Sequence, residues 1–555
     1  MKPFMKCTNT RALILAFILL PLALCACSSS VVAVTSSNQG QVGDWGYDTS
    51  RYFSAVEDEP DTVDFQCTSI HYTIATNVFN RLVEMGSATD GRVMVMPSLA
   101  KSWEVSADGR TYTFHLREGV KFSNGSPLTS SDVLYTMTRL LTHPDSCNQD
   151  IAEMIVGADE LMQGKADHLE GFKALSDSDF TITLQQPFEA FLACLSMPGA
   201  SIMDEETMKS AGDGFGKDPA CTIGTGSFIL KEWVPGKGML LTANEGCWQG
   251  APHCEGLDLR FITEPEEIRE MFDDGELDII DLDDVGDLAD YYVHGDIYQN
   301  RLYQVPRIAI TYTALNEKSG PLSDANVRKA LQMALDRKLL LDAIYSGRGS
   351  VEQGIYPHGL YGFNENLEAI PYDTEEAKIL LREAGYPDGF GLVYSVRSSS
   401  AQREMDMARL IVSMWNDIGV RATIEVLNED EFMSRRKSGG LACYSATWTA
   451  DYNDPDNFVY TFFGNRENTI FRSLCYQREA IMNRVRQART ITDPEKRIQE
   501  YQDLERIIAQ QDAAWIPLFS RMYLYVTSER VESIQHSWNG SVKNEYRNVV
   551  LKKTA

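Results

Sequence analysis

The stretch that decides the fold lies in the first quarter of the chain: Met96-Pro-Ser-Leu-Ala-Lys-Ser-Trp103, then Asp108-Gly-Arg-Thr-Tyr-Thr-Phe-His-Leu-Arg-Glu-Gly-Val-Lys-Phe-Ser-Asn-Gly125, then Thr129-Ser-Ser-Asp-Val-Leu-Tyr135. Tyr112, Phe114 and Leu116 occupy alternate positions, a pattern typical of a half-buried strand. Asn124-Gly125 predicts a turn after it. We expect these aromatic residues, together with Trp103, to lie in a core.

Helix signals follow the predicted strand and recur later in the chain. Thr129 is a suitable N-cap for a helix that buries Val133, Met137 and Leu140. Asp373 predicts the start of another helix, which Gly385 ends. Strands and helices alternate in this way along most of the chain, which indicates an α/β protein with covered sheets.

These blocks closely resemble the family 5 extracellular solute-binding proteins, which include the oligopeptide- and dipeptide-binding receptors of bacterial ABC importers. The resemblance continues in the same order through seven further blocks: Gly224-Thr-Gly-Ser-Phe228, Gly275-Glu-Leu-Asp278, Val327-Arg-Lys-Ala330, Asp336-Arg337, Glu383-Ala-Gly-Tyr386, Trp448-Thr-Ala-Asp-Tyr-Asn-Asp-Pro-Asp-Asn-Phe458 and Trp515-Ile-Pro-Leu518. The shared order makes the resemblance far more specific than any single block.

The resemblance implies the periplasmic-binding-protein-like type II architecture, in which two α/β lobes close like a clam over a solute and an extra domain is inserted. The expected limits are 45–83, 203–309 and 520–555 for lobe one, 84–202 for the inserted domain and 310–519 for lobe two. The chain then crosses the hinge near Val305 to Tyr312 and returns near Pro517 to Tyr525.

The resemblance also implies where a peptide would lie. Peptide-binding relatives hold the α-amino group with an aspartate in a Trp-x-x-Asp setting, which Asp451 occupies after Trp448, Thr449 and Ala450. Residues 446–450 on lobe two and Gln66, Cys67, Thr68 and Ser69 on lobe one are the expected backbone contacts. From the residues alone, Asp451 could equally cap its own loop beside Asp454 and Asp456.

The opposite end of the peptide is expected at an arginine. Dipeptide receptors of this family meet the ligand carboxylate in the segment that here reads Ser395 to Arg403, and Arg397 is the candidate, with Arg403 behind it. An arginine beside a serine run can also be solvated. If neither arginine reaches the cleft, we expect longer peptides whose carboxyl ends are not clamped.

The amino terminus reads as a lipoprotein export signal. Basic residues precede an apolar run from Ala12 to Ala26, and Cys27 follows the small Ala26. We expect cleavage after residue 26, lipidation of Cys27, and a flexible leash over residues 27–44. A retained membrane anchor is the alternative. The expected location is the extracytoplasmic face of the cell membrane, in the periplasm or at the cell surface.

The composition of the chain restricts the kinds of molecule that it can bind. The chain has 555 residues and a formal net charge of −28, so it repels nucleic acid. We expect a monomer that binds oligopeptides and docks on ABC permease subunits, which ATPase subunits drive. Eight cysteines follow Cys27; Cys247 and Cys254 are the closest pair, and a disulfide there is plausible. Their pairing is not readable from the sequence.

No catalytic pattern is present. His-Glu-x-x-His and Gly-x-Ser-x-Gly are both absent, and eight histidines are scattered along the chain. His253 lies beside Cys254, but a histidine that happens to neighbour a disulfide explains this pair better than a metal site does. We therefore expect that the protein is not an enzyme and that it binds no cofactor or metal. Two alternatives to peptide transport stay open: a non-peptide solute (a nickel chelate, haem or an oligosaccharide), or a receptor for signalling without transport.

Overall fold

The computed structural model describes residues 45–46, 48–68, 70–88, 92–541 and 545–552. The expected signal peptide, Cys27, the leash and Ser69 lie outside the described residues. No helix in the described part of the chain is long and apolar enough to cross a membrane.

The described residues form strands and helices in alternation along the chain. The strands are β1 (Phe53–Val56), β2 (Val83–Ser87), β3 (Val93–Pro97), β4 (Ala100–Val105), β5 (Thr111–Leu116), β6 (Phe172–Ala174), β7 (Asp179–Thr183), β8 (Phe228–Val234), β9 (Gly238–Ala243), β10 (Gly256–Arg260), β11 (Ile279–Asp281), β12 (Leu302–Pro306), β13 (Ala309–Leu315), β14 (Gly349–Val351), β15 (Gly391–Arg397), β16 (Arg421–Leu427), β17 (Cys443–Thr449), β18 (Trp515–Thr527), β19 (Val531–Ser533) and β20 (Val550–Leu551). The α-helices are α1 (Thr73–Val78), α2 (Ser130–Thr142), α3 (Ala158–Met162), α4 (Phe191–Cys194), α5 (Glu205–Ala211), α6 (Pro265–Asp273), α7 (Ala289–His294), α8 (Ala325–Met333), α9 (Arg337–Tyr345), α10 (Thr374–Glu383), α11 (Gln402–Asp417), α12 (Glu429–Lys437), α13 (Asp456–Phe463), α14 (Arg466–Phe471), α15 (Glu479–Ala488) and α16 (Pro494–Glu505).

The opening stretch of sequence forms the small sheet that it predicts. β5 lies between β4 and β7 in an antiparallel sheet ordered β4-β5-β7-β6. Tyr112, Phe114 and Leu116 are buried, as expected, in a core cluster that also includes residues of α2. Trp103 differs, because it sits on a strand with exposed neighbours and is only half-buried against that core.

The helix caps also form as predicted. Thr129 and Asp132 make a reciprocal capping box at the start of α2. Asp373 accepts hydrogen bonds from the backbone N–H groups of Glu375 and Glu376 at the start of α10. Gly385, with φ +87°, takes the left-handed backbone conformation that ends α10 at low cost.

One large sheet joins the rest of the molecule. Its strands follow the order β16-β15-β17-β13-β18-β11-β1-β10-β9-β8, with β12 and β14 also paired to β18. The long strand β18 pairs with β13 through Trp515 to Phe519 and with β12 through Met522 to Val526. β18 therefore passes from one half of the sheet to the other, and the short link from β12 to β13 crosses beside it.

The core is divided in the same way. Separate buried clusters cover the two halves of the large sheet, and another fills the region around β5. Tyr452, from the loop after β17, is buried in the β5 cluster. The loop that carries the candidate ligand residue is thereby held against the neighbouring part of the molecule.

The cysteines in the described part of the chain form no disulfide. All eight in the described residues are free thiols, and Cys247 and Cys254 are both buried. The suggested bridge between them is therefore not formed. Cys247 instead lies near the backbone oxygen of Thr225, with 3.8 Å between sulfur and oxygen.

Candidate functional site

The candidate site is built on strand β17. β13 pairs with β17 residue by residue, from Leu315 opposite Cys443 to Ala309 opposite Thr449. On its other side β15 pairs with β17 only at Cys443. Beyond that point β17 has no second strand partner among the described residues. The backbone N–H and C=O groups of β17 there form an open edge. A ligand chain in an extended conformation can pair with this edge as an additional strand.

The loop after β17 presents Asp451 at the end of this edge. The Asn457 side chain holds the loop: its Oδ1 accepts a hydrogen bond from the Asp451 N–H at 3.0 Å, and its Nδ2 donates to Asp451 Oδ2 at 3.0 Å. Trp448 Nε1 donates to the same Asn457 Oδ1 at 3.3 Å. One amide therefore fixes Trp448 and Asp451 relative to each other.

Two other acids of this loop are used for structure. Asp454 makes two buried hydrogen bonds to Arg497, at 2.8 and 2.7 Å. Asp456 pairs with Arg489 at 3.2 Å and accepts a hydrogen bond from Tyr501. Asp451 has no ion-pair partner among the described residues, so it is the acid of the loop whose charge is not compensated.

The surroundings of Asp451 disfavour its charge. Asp451 is exposed at the surface, although the protein atoms around it partly withdraw its carboxyl group from bulk water. Removal from bulk water is the main reason that its pKa rises to about 6; the Asn457 amide and the Arg472 charge oppose the rise, and the charge of Asp150 adds to it. A cationic ligand group would supply the missing compensation.

Residues from the amino-terminal part of the chain lie near Asp451. Burial raises the pKa of Tyr72, and the nearby charge of Asp451 contributes to the same direction. The Tyr72 hydroxyl donates to the backbone oxygen of Thr68 at 2.8 Å, and Asn148 Nδ2 donates to the same oxygen at 2.7 Å. Tyr72 and Asn148 thus hold the segment that the resemblance assigns to ligand contact.

Not every expected contact residue faces this cleft. Gln66 is fully buried; its side chain bonds the Thr136 carbonyl and Arg139, and its carbonyl accepts the Cys147 N–H. Ala450 is buried too, and its N–H and C=O bond Ile308 and Asn539. Both residues support the site from behind.

Four other expected contact residues remain partly exposed. Cys67, Thr68, Trp448 and Thr449 are half-buried, and Ser69 lies outside the described residues. Contact with a ligand on these two segments would therefore come from the half-buried residues.

Arg397 lies in a concavity beside β17. The concavity is lined by residues from six elements, among them Thr311, Tyr345, Tyr394, Ala446 and Thr447. The Arg397 guanidinium is 3.5 Å from Glu429 and 3.9 Å from Glu404. Arg397 thus lies near the open edge of β17, and two glutamates already share its charge.

Arg403 serves a different contact. Its Nη2 is 3.1 Å from Asp283 Oδ1, and Arg521 is 2.5 Å from the other oxygen of Asp283. Asp283 follows β11 in one half of the large sheet, whereas Arg403 lies on α11 in the other. Arg403, the second candidate for the ligand carboxylate, therefore bridges the two halves, and Asp283 already shares its charge.

Sequence reasoning missed three residues of the site. Asn457 stands inside the quoted Trp448 to Phe458 block, so the block itself offered a signal for it. Tyr72 and Arg472 belong to no recognisable pattern. The Arg472 guanidinium lies 5.4 Å from the centre of the Trp448 ring and 4.8 Å from that of Phe462.

Comparison with known proteins identifies the class to which this fold and site belong. The model of the bacterial extracellular solute-binding proteins, family 5 (middle region), matches residues 94–469, and the chain belongs to this family. It is therefore a solute-binding protein of an ABC importer, not an enzyme, as the sequence predicts.

Two curated relatives cover most of the chain. Heme-binding protein A of Haemophilus influenzae is 29% identical over 475 residues, which are 83% of this chain and 84% of the relative. The dipeptide-binding protein of Escherichia coli is 29% identical over 472 residues, which are 81% and 85% of the two chains.

A solved structure confirms the fold. The periplasmic binding protein DppA of Helicobacter pylori, in complex with the peptide STSA, matches with a TM-score of 0.74 and 23% identity, over 91% of this chain and 99% of that one. The chain thus has the class II periplasmic binding protein fold, as predicted from the sequence.

Proposed function

We propose that the protein captures peptides with a free α-amino group and delivers them to an ABC permease. Asp451 carries this proposal: its carboxylate is exposed just beyond the open edge of β17, has no ion-pair partner among the described residues, and has a pKa raised to about 6. A peptide α-ammonium would pair with it as a charge-assisted hydrogen bond. The names of the dipeptide-binding relative and of the peptide complex support the same solute class.

The open edge of β17 would supply the peptide backbone with partners. An extended peptide anchored at Asp451 would run beside Thr449 and Trp448 and reach Ala446 at the concavity. Cys67, Thr68 and Ser69 would meet it from the other side. Backbone pairing gives affinity without reading side chains, so we expect broad sequence selectivity. Arg397 would meet the carboxylate of a peptide of suitable length.

The proposal includes a division of the chain into two lobes and an inserted domain. Lobe one would comprise residues 45–83, 203–309 and 520–555, the inserted domain 84–202, and lobe two 310–519. The twin crossings at β12–β13 and within β18 support a hinge between two lobes. Contacts such as Asn453 Nδ2 to the Val93 carbonyl, at 3.1 Å, would form on closure. The solute then shifts the balance between open and closed forms, and the permease reads the closed form.

The anchor belongs to the proposal as well. Lipidation of Cys27 would tether the monomeric protein to the outer face of the cytoplasmic membrane or to the cell surface, beside its permease and ATPase partners. The net charge of −28 leaves nucleic acid an unfavourable partner.

The test is to identify the solute directly. We would purify the protein without denaturation, release the bound material by acid, and identify it by mass spectrometry. Peptides with free amino termini would support the proposal. Haem, as the name of the Haemophilus influenzae relative suggests, or a sugar or metal chelate, would replace the peptide with another solute on the same fold.

A further inference from the structure

Three metal-ligating side chains, none of them Asp451, converge between the segment before Thr68 and the end of α2. Cys67 Sγ is 3.3 Å from Asp64 Oδ2 and 3.3 Å from His143 Nδ1. The three ligand atoms all lie within 4.8 Å of one another. Asp64 is buried, whereas Cys67 and His143 are half-buried and keep a path to solvent. We call Asp64, Cys67 and His143 the triad.

The single hydrogen of the Cys67 thiol faces two acceptor atoms of the triad. His143 Nδ1 accepts a hydrogen bond from the Asp145 N–H at 3.3 Å, so this nitrogen presents a lone pair. The Cys67 thiol carries one hydrogen, yet both Asp64 Oδ2 and His143 Nδ1 lie at hydrogen-bonding distance from its sulfur. One of the two contacts is left as lone pair against lone pair, and a cation between the three atoms would relieve this.

The two distances from the Cys67 sulfur are close to the edges of a tetrahedral metal site, and the third edge is no longer than 4.8 Å. Zinc binds sulfur at about 2.3 Å and nitrogen or oxygen at about 2.0–2.1 Å, which places two ligand atoms roughly 3.5 Å apart across a tetrahedral angle. The two measured edges, both 3.3 Å, are close to that spacing. A thiolate, an imidazole and a carboxylate together favour a borderline cation such as Zn²⁺.

The surrounding residues hold the triad in place. Arg139 Nη2 is 2.5 Å from Asp64 Oδ2 and its Nη1 is 3.2 Å from Oδ1, which fixes the plane of the carboxylate. Such outer contacts orient metal-binding carboxylates. His143 directly follows the last residue of α2, four positions after Arg139, so both residues are positioned by the same helix.

We infer that Asp64, Cys67 and His143 bind one zinc-like divalent cation, with the fourth coordination position open to water. On binding, the Cys67 thiol would release its proton to the solvent and coordinate as thiolate. The ion would tie the segment before Ser69 to the end of α2. This site does not use Asp451, although Cys67 also belongs to the segment proposed to contact the peptide backbone.

The probe is Co²⁺, whose thiolate complexes absorb strongly in the near ultraviolet. The purified, reduced protein would be stripped with a chelator, its free thiols counted, and Co²⁺ added. We expect one charge-transfer band that saturates at one ion per chain and disappears when Zn²⁺ is added. Cys67→Ser should abolish the band, and His143→Gln should weaken Co²⁺ binding at least tenfold.

The controls are a second half-buried thiol and a second histidine beside an aspartate. Cys221→Ser and His168→Gln should leave the titration unchanged, since neither residue belongs to the triad. No band in excess Co²⁺, a band that survives in Cys67→Ser, or Cys67 found in a disulfide in the exported protein would each overturn the inference.

A second measurement needs no variant. Zn²⁺ should slow the alkylation of Cys67 by iodoacetamide at least tenfold, read residue by residue by mass spectrometry, and leave the rate at Cys221 unchanged. Equal rates at Cys67 with and without Zn²⁺ would overturn the site even if a variant had failed to fold.

Discussion

Asn457 binds Asp451 through both groups of its side-chain amide, with 3.0 Å to the Asp451 N–H and 3.0 Å to its carboxylate. The amide orients the carboxylate without neutralising it. Asp451 consequently keeps a charge that burial disfavours, while Asp454 and Asp456 in the same loop are paired with arginines. This difference between neighbouring acids leads to most of the following predictions.

Asp451→Asn should weaken binding of peptides with free amino termini by about 2–5 kcal/mol, because a close charge pair is lost. Folding stability at pH 7 should not fall and should rise slightly, since no internal cation loses its partner and a charge that its surroundings disfavour is removed. N-acetylated peptides should bind the wild type as poorly as free peptides bind the variant. Isothermal titration of the four combinations forms a double-mutant cycle, and a coupling energy near zero would assign Asp451 to loop structure.

Peptide affinity should fall at acidic pH. The carboxylate of Asp451, with a pKa of about 6 in the empty cleft, must be ionised to pair with an ammonium, whose own pKa of about 8 keeps it charged. Below pH 6 the dissociation constant should therefore rise towards tenfold per pH unit. Asp150, whose pKa is also raised, titrates in both proteins, so the difference between wild type and Asp451→Asn isolates Asp451. Parallel profiles would contradict this assignment.

The same carboxylate should affect the stability of the empty protein with the opposite sign. Its folded pKa lies above the unfolded value of about 3.9, so the destabilisation is present above pH 6 and disappears as pH falls towards 4. Thermal unfolding at pH 7 and pH 5 should show a smaller gain on acidification in Asp451→Asn than in wild type. An identical gain in both proteins would show that other groups account for it.

Asp454→Asn should lower the free energy of unfolding, unlike the substitution of Asp451. Its carboxylate makes a buried pair with Arg497, and removal of one partner leaves the guanidinium uncompensated at a cost of about 3–5 kcal/mol. Urea unfolding would measure the loss. A variant as stable as wild type would mean that water replaces the lost partner.

Cys27→Ser should release the protein from the membrane with its fold intact, since the lipid would have no attachment site. Cys25→Ser is the matched control and should leave it membrane-bound. Fractionation followed by immunoblotting distinguishes the two. Membrane retention of Cys27→Ser would contradict the proposed anchor.

Peptides should stabilise the protein and remain intact. At 100 times the dissociation constant, a ligand that binds only the folded state adds about 2.7 kcal/mol. Thermal shift would detect this with a mixed peptide library, and mass spectrometry would follow the peptides. The absence of any thermal shift across the library would oppose the peptide proposal.

Local sequence predicted much of the fold. Tyr112, Phe114 and Leu116 form a buried strand face because alternation is set by backbone geometry within a few residues. Thr129 and Asp373 cap helices for the same local reason. Trp103 was less predictable, since its burial depends on what the rest of the chain places over its strand.

Long-range pairing was not readable from the sequence. The link suggested between Cys247 and Cys254 rested on proximity along the chain, but both thiols pack separately in the folded protein. Gln66 and Ala450 stand in the expected contact segments, yet their hydrogen bonds go to Thr136, Ile308 and Asn539, which lie far away along the chain. Sequence spacing carries no information on such partners.

The sequence alone determined the family, the α/β class and the block that contains Asp451. The tertiary structure decided which acid of that block is left without a cation. Asp451, Asp454 and Asp456 look alike in sequence, but Arg497 and Arg489 come from later helical segments and reach only the last two. The availability of a charge depends on where distant side chains meet, and folding sets that arrangement.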